Sequence, residues 1–369
     1  MKFIIGKADF LKTLQRVQGI VEKRNTMPIL SNVLIEAGDG RINVLATDLE
    51  VFIKDSSPAD VKENGTVTVN ARKLFEIVKE LPDETVDLSA NRDCKVTVKG
   101  GKARFNIMGL SSKDFPVFPS IDETRLTKIE SDRLKDMVDK TAFAVSLDET
   151  RYNINGFFLE KEDTSNKMVA TDGHRLALIE KKDGIWKDAG EKKSVLLPRK
   201  GMMEIRRLLD EDSSSGFMLG ITEKNAAMKK EDTLINIRLL EGEFPDYRKV
   251  IPAENDKVAV LDRAALLSSL KRVSILSTDK IKGVKFNLSN GRLVLTSSSP
   301  DIGDATEEID AEYTGPELDI AFNARYMIDM LEAVDDEKVS LRLKDQLSPG
   351  IIRSSEAGDY TYIIMPMRL

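Results

Sequence analysis

The chain repeats itself three times, and no other feature narrows so far what it can fold into. Asp9-Phe10-Leu11-Lys12-Thr13-Leu14-Gln15-Arg16-Val17 is matched by Ala265-Leu266-Leu267-Ser268-Ser269-Leu270-Lys271-Arg272-Val273, and Asp132-Arg133-Leu134-Lys135-Asp136-Met137 fits between them. Apolar residues in each segment are spaced as on one face of an amphipathic helix. A second helical segment recurs, Asn70-Ala71-Arg72-Lys73-Leu74-Phe75-Glu76-Ile77-Val78 against Asn323-Ala324-Arg325-Tyr326-Met327-Ile328-Asp329-Met330-Leu331, with Asn70 and Asn323 placed as N-caps. Its middle copy, Pro198-Arg199-Lys200-Gly201-Met202-Met203, carries a proline that a first helical turn tolerates. Phe115-Pro116, Phe244-Pro245 and Met365-Pro366 punctuate the copies near their ends. The repeat therefore sets three domains of about 120 residues, an ordinary domain size, over 1–120, 126–250 and 253–369.

Between the two helices of each unit lie alternating strand patterns such as Val33-Leu34-Ile35-Glu36-Ala37, and Lys285-Phe286-Asn287-Leu288 runs into the hairpin signal Asn290-Gly291. Each unit reads as α+β, two helices with antiparallel sheets. A sheet-rich unit exposes unpaired edges. Joining edges between units and between chains removes that liability, and a threefold repeat of this kind favours a closed ring.

At 369 residues the chain is too long for one ordinary core. With 41% hydrophobic and 32% charged residues, every segment can bury apolar surface. No apolar run approaches the roughly 18 residues of a membrane span, and Met1-Lys2-Phe3-Ile4-Ile5 is a short strand where a signal peptide needs a longer apolar region; the expected location is the cytoplasm, with no membrane partner. Cys94 is the one cysteine, which excludes an internal disulfide and a multi-cysteine zinc site, and is read as a strand residue. The net charge of −6 argues mildly against a nucleic-acid partner, unless the cations are gathered on one surface.

Three motifs in order, Ala170-Thr171-Asp172-Gly173-His174-Arg175-Leu176, Phe244-Pro245-Asp246-Tyr247-Arg248 and the terminal Met365-Pro366-Met367-Arg368-Leu369, resemble the bacterial DNA sliding clamp family, the beta subunit of DNA polymerase III, and the likeness covers essentially the whole chain. The resemblance implies a head-to-tail homodimer of three-domain crescents whose helices face a hole threaded by duplex DNA, a processivity factor without an active site, cofactor or metal. An ATP-driven loader would open the ring. The chain has no phosphate-cradling glycine-rich motif with its lysine, so that ATPase is another protein.

Asp172 and His174 invite an enzymatic reading as an acid/base or metal-binding pair. His174 is the only histidine, however, and Ala46-Thr47-Asp48 copies Ala170-Thr171-Asp172 in the first unit, so Thr-Asp reads as turn architecture that diverges at Gly173-His174-Arg175. The family resemblance makes this loop one wall of a hydrophobic groove between the second and third domains. Carried over by position, the groove comprises Arg151, Ile154, Thr171, Gly173, His174, Arg175, Leu176, Pro245, Lys249, Val250, Ile281, Asn323, Tyr326, Leu347, Pro349, Ile363, Ile364, Met365, Pro366, Met367, Arg368 and Leu369. It implies capture of short extended peptides, typically Gln followed by Leu and Phe, from the polymerase III alpha subunit, the clamp loader, other polymerases and repair proteins. Ile281 and Pro349 depart from the pattern, which has an aromatic and a small polar residue there. The bland alternative makes Ile363 to Met367 simply a last strand.

Candidate DNA-facing cations recur on the same two helices of each unit: Lys12, Arg16, Lys23, Arg24, Arg72, Lys73, Lys79, Arg133, Lys135, Lys140, Arg199, Lys200, Arg206, Arg207, Lys271, Arg272 and Arg325, interrupted by Glu76, Asp136 and Asp139. Arg24, Tyr152, Arg199 and Lys200 are the DNA contacts that the resemblance implies. It also sets Phe105 and Ile107 against Ile275 and Leu276 at the seam between chains, residues that could equally be core.

Overall fold

The computed structural model describes the chain apart from residues 22–26, 183–184, 187–188, 191, 212–215, 278–282, 355–357 and 369. Among the described residues six α-helices form, two per repeat: α1 (Lys7–Gln18), α2 (Ala71–Glu80), α3 (Ser131–Asp139), α4 (Arg199–Glu211), α5 (Arg263–Val273) and α6 (Ala324–Ala333). The Asn70 side chain accepts from the Lys73 amide at the head of α2, and Asn323 accepts from the Arg325 amide at the head of α6. Pro198 is the last residue of the strand Ser194–Pro198 rather than part of the first turn of α4. Its fixed φ suits either site, and the strand ladder claims it: Pro198 lies opposite Gly156.

The chain divides into two compact bodies, residues 1–132, 186–192 and 200–239 in the first and 133–185, 193–199 and 240–369 in the second. In the first, an eight-stranded sheet runs from Thr127–Ile129 at one edge to Gly65–Asn70 at the other, and a five-stranded sheet runs from Asp60–Glu63 to Ala103–Met108. The larger sheet joins two repeats: Thr233–Arg238 pairs antiparallel with Val51–Pro58, Thr233 opposite Asp55 and Ile237 opposite Val51. Helix α1 packs on Val51–Pro58 and beside α2, burying Phe10, Leu14 and Val17.

Arg16 lies in this seam, not in solvent. Only 6% exposed, it donates from Nη1 to Asp55 Oδ1 (3.2 Å) and Thr233 Oγ1 (3.1 Å), from Nε to Glu211 Oε2 (2.8 Å) and from Nη2 to Glu231 Oε2 (3.3 Å). The amphipathic spacing of α1 places Arg16 correctly on the helix but says nothing of a carboxylate waiting beneath it, so the expectation that Arg16 faces DNA is corrected. A buried cation with this many acceptors, carboxylates from several elements among them, is held in one geometry.

The second body has an eight-stranded sheet from Ser194–Pro198 to Lys257–Asp262, and again two repeats meet inside it: Arg175–Lys182 pairs with Tyr360–Ile364, Arg175 opposite Ile364 and Ile179 opposite Tyr360. A four-stranded sheet, from Gly303–Asp310 to Leu318–Asn323, packs under α5. Its hairpin turns at Asn290-Gly291 with Gly291 at φ +78, where a side chain would be strained. Phe286 points inward from an alternating strand, Phe322 is buried too, and Tyr360 and Tyr362 lie in a last strand that is buried along its whole length. Cys94 is not in a strand. It occupies a turn at φ +60, fixed by the Asn91 side chain, which accepts from the amides of Asp93 and Lys95; such an asparagine turn is invisible to hydrophobic periodicity.

Candidate peptide-binding site

The loop between Ser165–Thr171 and Arg175–Lys182 is built by its own polar side chains. Thr171 Oγ1 accepts from the Gly173 amide at 3.0 Å, and Asp172 Oδ1 accepts from the amides of His174 (2.9 Å) and Arg175 (3.0 Å). The same turn occurs in the first repeat, where Thr47 Oγ1 accepts from Leu49 and Asp48 Oδ1 from Glu50 and Val51. Asp172 Oδ2 takes Arg175 Nε at 3.0 Å. Both oxygens are thus committed to the turn and to Arg175, which leaves the carboxylate poorly placed to act as a base. Among the described residues no three His, Cys, Asp or Glu side chains gather as a metal site would.

Gly173 shows how tightly the loop is packed. Its φ is +90, and a Cβ there would lie 2.8 Å from Nη2 of Arg151, whose Nη1 donates to the Asp172 carbonyl. In the matching turn Leu49 sits at φ +81, so a side chain at 173 would meet the same backbone strain and would in addition have to push aside the tip of the exposed Arg151. Gly173→Ala is expected to lower stability by about 1–3 kcal/mol and to displace Arg151. Urea unfolding reads the first effect and peptide affinity the second; a variant unchanged in both would refute the packing described.

Above this turn lies a hollow of about 140 Å3 lined by Arg151, Ile154, Thr171, Gly173, His174, Arg175, Leu176, Phe244, Pro245, Asp246, Tyr247, Val250, Ile363 and Met365. Leu176 and Ile363 face each other across paired strands, and the Met365 amide donates to the His174 carbonyl at 2.9 Å. Tyr247 forms the opposite wall. Its hydroxyl donates to Glu160 at 2.7 Å, Arg248 reaches the same carboxylate at 2.6 Å, and Phe158 stacks on Phe244 with centroids 4.8 Å apart. Burial and the Glu160 carboxylate both push the Tyr247 phenol well above its ordinary value, so it remains a neutral donor. Against the cost of burial, the bonds from Arg248 and Tyr247 hold the Glu160 carboxyl below the usual range.

A wider hollow of about 410 Å3 shares Val250 and Met365 with the first and adds Lys249, Pro252, Ala253, Glu254, Lys344, Ser348 and Pro349. The two rims carry exposed apolar side chains, Val250 46% and Met365 44% exposed. Exposed methionine suits a surface that repacks around different ligands.

The structure thus brings together, in one hollow or the other, Arg151, Ile154, Thr171, Gly173, His174, Arg175, Leu176, Pro245, Lys249, Val250, Pro349, Ile363 and Met365. Tyr326 lies outside both linings but stacks against His174 (6.5 Å) and beneath the Arg175 guanidinium (4.2 Å). Asn323 caps α6, Leu347 is 66% exposed in a turn held by Asp345, and Ile364 is fully buried in its sheet. Pro366, Met367 and Arg368 follow in the tail, where the Met367 amide bonds the Ala321 carbonyl. Ile281, Leu369, Lys23 and Arg24 lie outside the described residues. Phe244, Asp246 and Tyr247 were missed as lining residues although the Phe-Pro-Asp-Tyr-Arg motif contains them; the motif does not say which side chains turn toward the loop at 171–176.

Most helix cations are already paired. Arg72 and Lys73 hold Glu76, Lys135 holds Asp139, Lys140 holds Asp136, Arg206 holds Asp210, Lys271 holds Glu332, and Lys200 reaches the largely buried Asp48. Tyr152 is 61% exposed, and the Arg199 Nε is buried without an acceptor. Phe105 is 39% exposed on Ala103–Met108, with Ile107 half-buried beside it; Ile275 is 74% exposed and Leu276 half-buried in the turn after α5.

Models of the DNA polymerase III beta subunit match three successive stretches: the N-terminal domain at residues 1–119, the central domain at 128–246 and the C-terminal domain at 248–368. Beta sliding clamps of Pseudomonas aeruginosa and Caulobacter vibrioides are each 36% identical to this chain, with all of both chains covered. The crystal structure of the DNA polymerase III subunit beta from Pseudomonas aeruginosa matches with a TM-score of 0.92 at 35% identity, and the sliding clamp from Bartonella birtlesii bound to griselimycin with 0.94 at 33%, all of each chain covered. The fold and the family matches together define a three-domain α+β DNA clamp, a non-catalytic accessory subunit of a polymerase. The chain belongs to the DNA polymerase III beta subunit family, the beta sliding clamps, and is a processivity factor in DNA replication.

Proposed function

We propose that two copies of this chain, each with domains 1–120, 126–250 and 253–369, close head to tail into a cytoplasmic ring around duplex DNA. The ring tethers the polymerase III alpha subunit, the clamp loader, other polymerases and repair proteins by short peptides of Gln followed by Leu and Phe. The observation that carries the reading is the apolar hollow in which the three motifs converge from distant parts of the chain, with exposed Val250 and Met365 on its rim. A concave apolar surface with a few fixed polar groups is how extended peptides are held.

Closure is supported by the sheet edges. Among the described residues Ala103–Met108 and Gly303–Asp310 each pair on one side only. Arg104 with neighbouring Lys99 and Lys102 makes the first edge basic, while Asp304, Glu308 and Asp310 make the second acidic, so unlike edges attract and like edges repel. Paired helix cations fit a ring that encloses DNA without gripping it: Arg24, Tyr152, Arg199 and Lys200 would supply a few salt-sensitive contacts, and enclosure the rest.

The test is retention on DNA of different topology. Loaded onto nicked circular plasmid, the protein is expected to stay bound through gel filtration at moderate salt and to be shed within minutes once the plasmid is linearised. Equal retention on both forms would mean ordinary groove binding and would overturn the proposal.

A further inference from the structure

Arg175 lines the narrow hollow, yet a guanidinium is a poor wall for apolar ligands unless its donors are spent elsewhere. They are spent. Nε donates to Asp172 Oδ2 at 3.0 Å, Nη1 to Asp329 Oδ2 at 2.8 Å and Nη2 to the Phe143 carbonyl at 2.5 Å. The flat faces lie against aromatic rings, 4.2 Å from the Tyr326 centroid and 5.3 Å from that of Phe143. Asp172 is required by its own turn. Asp329, on α6, is 12% exposed and has no capping duty; its other oxygen takes Arg325 Nε at 2.7 Å, from a side chain that is 72% exposed.

We infer that Asp329 is the specificity-determining residue of the groove: by consuming Nη1 and half of the Arg175 charge, it makes a cationic wall behave as an apolar one and so excludes acidic side chains. It touches no ligand and acts through Arg175, which makes it a positioning residue. The inference rests on the proposed peptide groove and deepens it, since it states what the groove rejects. Without the Asp329 charge, Arg175 would keep Asp172 as its one carboxylate partner, and the wall it contributes to the hollow would be more positive and more receptive to a carboxylate.

The experiment uses the full chain and a fluorescein-labelled decapeptide containing Gln followed by Leu and Phe, together with two relatives in which the Leu or the Phe is replaced by Glu. In the unsubstituted protein each Glu is expected to weaken binding at least fiftyfold, despite the arginine in the wall. If both Glu peptides bind within tenfold of the parent, Arg175 is free to attract acids and the inference is wrong. In Asp329→Asn the gap for at least one Glu peptide is expected to narrow about tenfold. General loosening of the fold would weaken all three peptides in proportion and leave both gaps unchanged, which also overturns the inference. The measurement on the unsubstituted protein stands even if Asp329→Asn folds poorly. Failure of that protein to bind the parent peptide at all would instead strike the proposed groove.

Discussion

Arg175→Ala is expected to cost the protein about 3–5 kcal/mol of stability, the usual penalty for removing one partner of a buried ion pair. Arg175 is 9% exposed, and its two carboxylate partners, Asp172 and Asp329, are 16% and 12% exposed. Removing the guanidinium leaves both with too little counter-charge and water, and it strips the Phe143 carbonyl and the Tyr326 ring of their contact. Arg175→Lys should recover only part of the loss, because an ammonium cannot serve three acceptors in the fixed fork that a guanidinium presents. Urea unfolding followed by far-UV dichroism measures both variants; an alanine variant within 1 kcal/mol of the parent, roughly the worth of an exposed pair, would show that the cluster is ornamental. Because the arginine comes from the second repeat and Asp329 from the third, the same substitution should loosen the hollow and weaken peptide binding.

Ile275→Asp is expected to turn dimers into folded monomers. Leu276, which the resemblance also sets at the seam, is the poorer choice for this purpose: it is half-buried, so a charge there would disturb its own domain as well. Ile275 is 74% exposed in a short turn and contributes little to its own core. An aspartate in an apolar seam costs roughly 2 kcal/mol or more, and a head-to-tail pair has two seams. The sum, about 4 kcal/mol, weakens association roughly a thousandfold. Light scattering should then report one chain per particle at micromolar concentration, with unchanged melting of the monomer. A dimer that persists would remove Ile275 from the interface.

What the sequence revealed follows from what repeats and what does not. Helix periodicity, the two asparagine caps and the hairpin at Asn290-Gly291 are local signals, and the helices and turn form where those signals lie. The Thr-Asp turn was legible because two copies of it could be compared. Arg16 was misread for the opposite reason: its copy in the third repeat, Arg272, lies on the surface paired with Glu307, whereas Asp55 and Thr233 reach Arg16 from strands far away in sequence. Asp329 and Tyr247 were passed over likewise, since an acid on a helix and a tyrosine in a loop reveal nothing of partners that only the fold supplies. Cys94 escaped because a positive φ is a property of the backbone around Asn91 and not of the cysteine.

The two sheets shared between repeats have a mechanical consequence. A ladder of five consecutive residue pairs, whether Thr233 to Ile237 against Asp55 to Val51 or Arg175 to Ile179 against Ile364 to Tyr360, resists shear because all its hydrogen bonds must fail together, yet it yields to gentle twisting as any sheet does. Strain placed on such a chain would be shared along these ladders and not carried by a single bond between repeats.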